Sequence, residues 1–123
     1  MENNRFNTGK SIIDKMVSPE VFDHMSNMKN ISADFWEMIV AFGFGDVYAR
    51  EGLSLEKREI ITLTTLITQG AFDQLEFHIR AALKVGLSQN EIKEIIIQCA
   101  AYVGFPKAVH AMQIAGSVFK NME

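Results

Sequence analysis

Helix-capping and helix-breaking residues recur along the chain at the spacing of short helices, and they constrain the fold more than any other feature. Residues 18–20, Ser-Pro-Glu, supply an N-cap, a proline at the first helical position and an acid in the first turn. Residues 88–91, Ser-Gln-Asn-Glu, form a capping box, and Gly86 suits the left-handed residue that ends a helix. The run Gly-Phe-Pro at 104–106 ends one helix and begins another. The pattern predicts an all-α fold of about six to seven helices.

One segment carries conflicting signals. Residues 61–68 are rich in β-branched side chains and alternate in part, as a strand does. We predict a helix from Ser54 to about Gln69, because the segment opens with good helix formers and the sequence offers no partner strand. Apolar residues almost all round this helix predict a central, buried position. The other predicted helices cover about 9–17, 19–28, 32 to near 43–45, 72–85, 88–103 and 106–119, with a connector over 46–52.

Length and composition narrow the class of protein. The chain has 123 residues, which suggests a single domain over 1–123, and 48% of them are hydrophobic, so we expect self-association as a homo-oligomer. The net charge is -3 with no basic run, so nucleic acid is not an expected partner. No apolar run approaches the roughly 18–20 residues that span a membrane. A polar N-terminus without a signal-peptide core, and a single cysteine, lead us to expect a cytoplasmic location.

Acids and an imidazole lie close together along two consecutive predicted helices. They are Glu59, Gln74, Glu76 and His78, and they adjoin strongly apolar helical surface, which suggests a small site on a helical scaffold. If the two helices are antiparallel and turn near Gly70, Glu59 and His78 differ in height by about 4.5 Å, at about 1.5 Å rise per residue. We therefore expect these two side chains to be in contact. Glu76 points off the His78 side of its helix, so we expect it at the surface.

Simpler interpretations of these residues stay open. His78 also fits a core or interface histidine bonded to a carbonyl, and Glu59 also fits an acid that is favoured only by the helix dipole. His24 and His110 are lone histidines on other helices. Their spacing with His78 resembles no metal motif, so no metal site is predicted.

An ordered set of short motifs resembles the carboxymuconolactone decarboxylase family. It comprises Phe-Gly-Asp-Val-Tyr at 44–48, Gly-Leu at 52–53, Arg-Glu at 58–59, His78 with Ala-Ala at 81–82, and Ala-Tyr-Val-Gly-Phe-Pro-Lys-Ala at 101–108. The resemblance is strongest over 42–116 and implies a compact all-helical subunit of the alkylhydroperoxidase D-like superfamily. It also implies assembly into a homo-oligomer, most often a hexamer built as a trimer of dimers.

The match is closer to the decarboxylase branch of that superfamily than to the alkylhydroperoxidase D-like branch. In the latter, a glutamate, two cysteines and a histidine form a redox site, and by spacing these fall on Glu59, Ala71, Gln74 and His78. The acid and the imidazole are present and both thiols are absent. Cys99 stands on another predicted helix among isoleucines, so peroxidase activity is disfavoured.

The resemblance implies cofactor-independent decarboxylation of an anionic γ-lactone similar to 4-carboxymuconolactone. His78 would be the general acid/base, since an imidazole exchanges protons near neutral pH, and Glu59 its partner. The alternative is a non-catalytic oligomeric protein that binds a small molecule on the same scaffold.

The remaining candidates would bind the substrate. Arginine pairs with carboxylate through parallel hydrogen bonds, which suits Arg58 or Arg50 as the anchor. Gln74 would donate a hydrogen bond to the substrate. Tyr48 lies in the predicted connector, where site residues concentrate, although it fits a packing role as well.

Overall fold

The computed structural model of the protein describes residues 4–122, and the chain divides into two compact units at Ser54/Leu55. Within residues 4–122 there are seven α-helices, a 3₁₀ segment and a π-helical segment, and no strand. The all-α prediction is confirmed. No helix in this described range is long and apolar enough to cross a membrane.

The first unit is built from short helical pieces. They are α1 (Asn4–Met16), α2 (Pro19–Met25), a 3₁₀ segment (Ser26–Asn30), α3 (Ala33–Met38) and a π-helical segment (Ile39–Tyr48). The predicted caps are present: the Ser18 hydroxyl accepts from the Val21 amide at 3.2 Å, and the Ser32 hydroxyl accepts from the Phe35 amide at 3.1 Å. Local cap chemistry therefore sets the starts of α2 and α3.

Two glycines let α1 lie directly against the π-helical segment. A β-carbon at Gly9 would collide with the backbone carbonyl of Val40, and one at Gly45 would collide with the carbonyl of Arg5. Neither glycine has a positive φ, so close backbone approach explains both positions, rather than turn geometry. The interface buries Ile13, Val40 and Phe44.

Three sequence predictions for this unit were wrong. The first helix begins at Asn4 rather than near residue 9, and the predicted helix over 19–28 changes to 3₁₀ geometry after Met25. The helix expected to end near Gly43–Gly45 instead continues to Tyr48, so the connector predicted over 46–52 loses its first three residues. The physical reason is tertiary: packing on α1 favours continued helix through glycines that are helix-ending signals on their own.

The second unit consists of four regular α-helices. They are α4 (Leu55–Gln69), α5 (Phe72–Val85), α6 (Gln89–Val103) and α7 (Phe105–Asn121). The predicted bounds are confirmed to within a residue or two. Both arms of the Ser88–Glu91 capping box are present at 2.9 Å, and Gly86 follows α5 with φ +124°. Gly70 turns the chain between α4 and α5 with φ +75°.

The prediction that α4 is buried almost all round was wrong. Its buried stripe is narrow, Glu59, Leu63 and Ile67, while Ile61 is 53% exposed. Thr64, Thr65 and Thr68 are also exposed, and their hydroxyls donate to the carbonyls four residues earlier at 2.7–2.8 Å. Because that bond satisfies each hydroxyl locally, a β-branched run can occupy an exposed helical face without a sheet partner.

All four helices of the second unit contribute to one apolar core. Its fully enclosed members include Leu63, Leu75, Ile79, Ile92, Ile96, Ala111, Ala115 and Val118. This core holds α4 and α5 side by side and so fixes the surroundings of Glu59 and His78.

Candidate functional site

Glu59 and His78 are in direct contact. Oε1 of Glu59 on α4 lies 3.1 Å from Nδ1 of His78 on α5. Both helices belong to the second unit, and the turn at Gly70 joins them. The expected contact between these two side chains is thus present; we call them the acid–imidazole pair.

The pair is deeply buried. Glu59 has no solvent exposure, and the His78 side chain retains 14%. Glu59 belongs to the same helical stripe as Leu63 and Ile67, one and two turns further on, and this stripe faces the core. The position of Glu59 in that stripe gives it a buried partner in His78, in addition to any contribution from the helix dipole. Without a partner, such a carboxylate would be costly to bury.

The contact relates the two ring nitrogens to the ionisation of Glu59. An ionised carboxylate accepts only, so with Glu59 in that form Nδ1 carries the hydrogen and donates to Oε1. In the neutral ring, Nε2 then holds the lone pair and is the atom able to accept a proton. The second Glu59 oxygen, Oε2, is buried with no hydrogen-bond partner within residues 4–122.

Sequence reasoning missed one neighbour of this pair, Phe77. Its ring packs edge-on against the His78 imidazole, with centroids 4.9 Å apart and planes at 74°. Because Phe77 immediately precedes His78 in the chain, helical spacing gives no hint that the two rings touch. This edge-to-face arrangement is one that aromatic rings favour, and it adds an apolar contact on the imidazole.

The four predicted substrate-binding residues occupy varied settings. Arg58 is half-buried beside Glu59 in the chain, and Gln74 is exposed in the first turn of α5. Tyr48 and Arg50 belong to the first unit. Tyr48 ends the π-helical segment, not a connector, and stacks on Phe44 with ring centroids 5.2 Å apart; Arg50 is exposed.

Other residues that were considered from the sequence have packing or pairing partners away from the acid–imidazole pair. Glu76 is exposed and pairs with Arg80 at 3.1 Å, as its surface prediction requires. Cys99 is buried in α6 within the apolar core. His110 packs its ring on Phe72 with centroids 4.1 Å apart. Among residues 4–122 no three His, Cys, Asp or Glu side chains are grouped so that they could hold a metal ion.

A shallow apolar groove runs between α6 and α7. It has a volume of about 400 Å³, and its lining includes Ala100, Ala101 and Ala108. Phe105 and Ile97 stand at its sides, 73% and 54% exposed. We call this surface the α6/α7 face. The sequence signal for it, large apolar residues beside alanines near a helix start, is present but does not by itself distinguish core from surface.

Comparison with known proteins gives consistent matches. The family model described as "Carboxymuconolactone decarboxylase family" matches residues 33–116. Over 98 residues the chain is 35% identical to 4-carboxymuconolactone decarboxylase of Acinetobacter baylyi, covering 80% of this chain and 73% of that protein. Over 86 residues it is 33% identical to nitrosuccinic acid decarboxylase of Metarhizium robertsii, covering 70% and 60%. An uncharacterized 15.0 kDa protein of Paracoccus denitrificans is 37% identical over 91 residues, covering 72% and 65%.

Proposed function

The chain belongs to the carboxymuconolactone decarboxylase family, and we propose that it is a cofactor-independent decarboxylase of a carboxylated γ-lactone such as 4-carboxymuconolactone. The observation that carries the proposal is the buried acid–imidazole pair, in which Glu59 and His78 meet at 3.1 Å. Two relatives named as decarboxylases, with different substrates in their names, support the reaction type more strongly than the substrate.

The reaction needs an electron sink and a proton. When the bond to the carboxylate breaks, CO₂ leaves and the bonding electrons pass through the conjugated ring to the lactone carbonyl, giving a dienolate. A proton then adds to the carbon next to the carbonyl, and the product is the enol-lactone. The protein must bind the anion, stabilise the developing oxyanion and deliver that proton.

His78 is suited to deliver the proton. With Nδ1 held by Glu59, the protonated ring presents its second hydrogen on Nε2. After transfer, the neutral ring is already in the tautomer that Glu59 favours, so no ring rotation is needed. Glu59 acts through His78 and is a positioning residue in this proposal.

Substrate anchoring is proposed for Arg58 or Arg50, with Gln74 and Tyr48 as further contacts. A guanidinium would pair with the substrate carboxylate through parallel hydrogen bonds. Replacing either arginine with lysine keeps the charge and removes that geometry. For the arginine that binds substrate, we expect KM to rise more than kcat falls.

The test is CO₂ release and ultraviolet loss of lactone with 4-carboxymuconolactone, using wild type, His78→Ala and Glu76→Gln. We expect His78→Ala to lose at least about 10²-fold in kcat, with helicity unchanged. Glu76→Gln is the matched control, because Glu76 is an exposed acid on the same helix and pairs with Arg80. Turnover by His78→Ala at the wild-type rate would exclude His78. A wild type that binds the lactone without turnover would favour the non-catalytic alternative.

We also propose that copies of the chain associate through the α6/α7 face, within a hexamer built as a trimer of dimers in the cytoplasm. Phe105, Ile97 and Val109 line this face and are 49–73% exposed. Together they leave on the order of 300 Å² of largely apolar surface open, a substantial part of the about 800 Å² per partner in a standard interface. The groove lining carries no charge, so a two-fold contact brings no like charges together.

Measurement of the mass in solution tests the association. Phe105→Glu should yield smaller species at micromolar concentration, because it places a charge on the apolar lining of the face. Gln113→Glu adds the same charge on α7 at an exposed position outside the groove lining, and should not alter the mass. A monomeric wild type would contradict the proposal.

A further inference from the structure

The acid–imidazole pair is placed to move protons rather than to expel CO₂. Breaking the bond to the carboxylate sends its electrons into the lactone and requires no base. An imidazole held at Nδ1 by a fully buried carboxylate is therefore suited to the second half-reaction. In that step a proton adds to the carbon next to the lactone carbonyl. That half-reaction is reversible in principle, and the group that delivers a proton along a path also removes it along the same path.

The route between this proton and the solvent runs through His78. Glu59 has no exposure, whereas the His78 side chain keeps 14%. Because part of the His78 side chain reaches solvent, His78 is the member of the pair through which a hydrogen can exchange with water, while Glu59 stays enclosed. A hydrogen taken from a bound molecule can therefore be replaced by one from the solvent before it returns.

We propose that the protein has a second activity: the exchange of the hydrogens next to the carbonyl of the enol-lactone product with solvent, without any loss of CO₂. This inference rests on the proposed function. Nε2 of neutral His78 takes one hydrogen from the carbon next to the carbonyl. The electrons of that C–H bond move into the ring to give the dienolate, and His78 becomes the imidazolium. After the ring exchanges with solvent, it returns a hydrogen isotope to the same carbon. Nothing is oxidised or reduced, and water is the sole co-reactant.

The ligand class follows from the chemistry of that step. The substrate must be a carbon acid whose anion is delocalised onto a carbonyl oxygen, as in a five-membered enol-lactone. A saturated lactone lacks the vinylogous stabilisation and should exchange far more slowly. Faster exchange of the enol-lactone than of the saturated lactone would therefore indicate that the reaction passes through the dienolate.

The experiment follows deuterium entry by proton NMR after the enol-lactone is added directly to the protein in D₂O. A parallel sample tests CO₂ release from 4-carboxymuconolactone. With wild type we expect the CH₂ signal next to the carbonyl to disappear at least about 10²-fold faster than without protein. With His78→Gln we expect the protein-free rate, and with Glu76→Gln the wild-type rate.

The two arms separate the two proposals. Release of CO₂ together with exchange of the added enol-lactone supports both. If CO₂ is released but the added enol-lactone exchanges only at the protein-free rate, the exchange proposal is overturned while the decarboxylase proposal stands. If neither occurs, the proposed function fails and the exchange activity fails with it. Exchange that survives in His78→Gln would overturn the assignment to His78, provided that circular dichroism shows the variant folded.

Discussion

Each unit of this protein contains an acid paired with a nitrogen-bearing side chain. The two pairs differ in their exposure to solvent. In the first unit, Arg5 donates to both carboxylate oxygens of Asp46 at 2.6–3.1 Å, with both side chains exposed to solvent. In the second unit, Glu59 shares one hydrogen bond with His78 and is wholly enclosed. The Arg5–Asp46 pair thus has more hydrogen bonds, but we expect its removal to affect activity less than removal of the acid–imidazole pair. Burial is what makes the second pair a candidate for chemistry.

The units also differ in backbone regularity. The second unit is made of four regular α-helices, whereas the first contains 3₁₀ and π-helical turns and two glycines in close backbone contact. A π-helical segment lacks the optimal packing of an α-helix and often marks a functional or strained site. The first unit therefore combines local caps at Ser18 and Ser32 with close long-range contacts at Gly9 and Gly45, whereas the helices of the second unit keep regular geometry throughout.

The largest expected effect is on activity, and it should distinguish the acid–imidazole pair from the Arg5–Asp46 pair. Glu59→Gln keeps the shape of the side chain, but its amide can donate to Nδ1 and so favours the opposite tautomer. We expect kcat for CO₂ release to fall at least about 10²-fold with KM nearly unchanged. Asp46→Asn, which removes the exposed pair, should retain wild-type kcat. An equal fall in kcat for both variants would show that the difference in burial between the two pairs does not matter for catalysis.

The next effect concerns the close approach in the first unit. Gly9→Ala forces a methyl group against the backbone carbonyl of Val40, and we expect a loss of about 1–3 kcal/mol in the free energy of unfolding. Gly43→Ala is the control, since a β-carbon there has no neighbour within 4 Å. Urea unfolding followed by circular dichroism measures both. If Gly9→Ala is as stable as Gly43→Ala, α1 does not need the glycine.

In the second unit, stability should respond to local caps. Ser88→Ala removes the hydroxyl that accepts from the Glu91 amide at 2.9 Å. We expect a loss of about 0.5–2 kcal/mol. Chemical denaturation reports it, with the exposed Ser117→Ala as a matched substitution inside α7. Equal denaturation midpoints for the two variants would indicate that water replaces the hydrogen bond of the cap with no loss of stability.

A fourth substitution should be mildly stabilising. Gly116 lies inside α7 in open space, and a β-carbon added there would meet no neighbour within 4 Å. Gly116→Ala should therefore raise the free energy of unfolding by about 0.5–1 kcal/mol. The same substitution should thus lower the free energy of unfolding at Gly9, in the first unit, and raise it at Gly116, in the second. A destabilised Gly116→Ala protein would indicate that this position is covered in the assembled protein.

The smallest effect should be the pH dependence of the exposed pair. Hydrogen bonds from Arg5 lower the pKa of Asp46. The pair therefore adds stability that is fully present above the pKa of aspartate in the unfolded chain, about 4, and is lost as the pH falls through the lower folded pKa. We expect the small difference in melting temperature between wild type and Asp46→Asn to vanish in acid and to shrink in salt. A difference that persists at low pH would mean that Asp46 acts through packing.

The contact within the acid–imidazole pair was accessible from the sequence. Because α4 and α5 are regular and separated by a single turn, counting residues from Gly70 was enough to predict the contact between Glu59 and His78. The contact with Phe77 was not accessible, since adjacent residues on a helix normally diverge. The exposed face of α4 was also missed, because a run of apolar and β-branched residues does not reveal that threonine hydroxyls bond back to their own helix.

Local sequence was sufficient for the all-α class, the bounds of α4 to α7 and the register of the acid–imidazole pair. Those features depend on caps, turn residues and helical period, which act within a few residues. The π-helical course through Gly45, the dense contact at Gly9 and the complete burial of Glu59 came from the tertiary structure alone. Each of these depends on atoms distant in the chain, because burial and close approach are properties of packed surfaces rather than of local sequence.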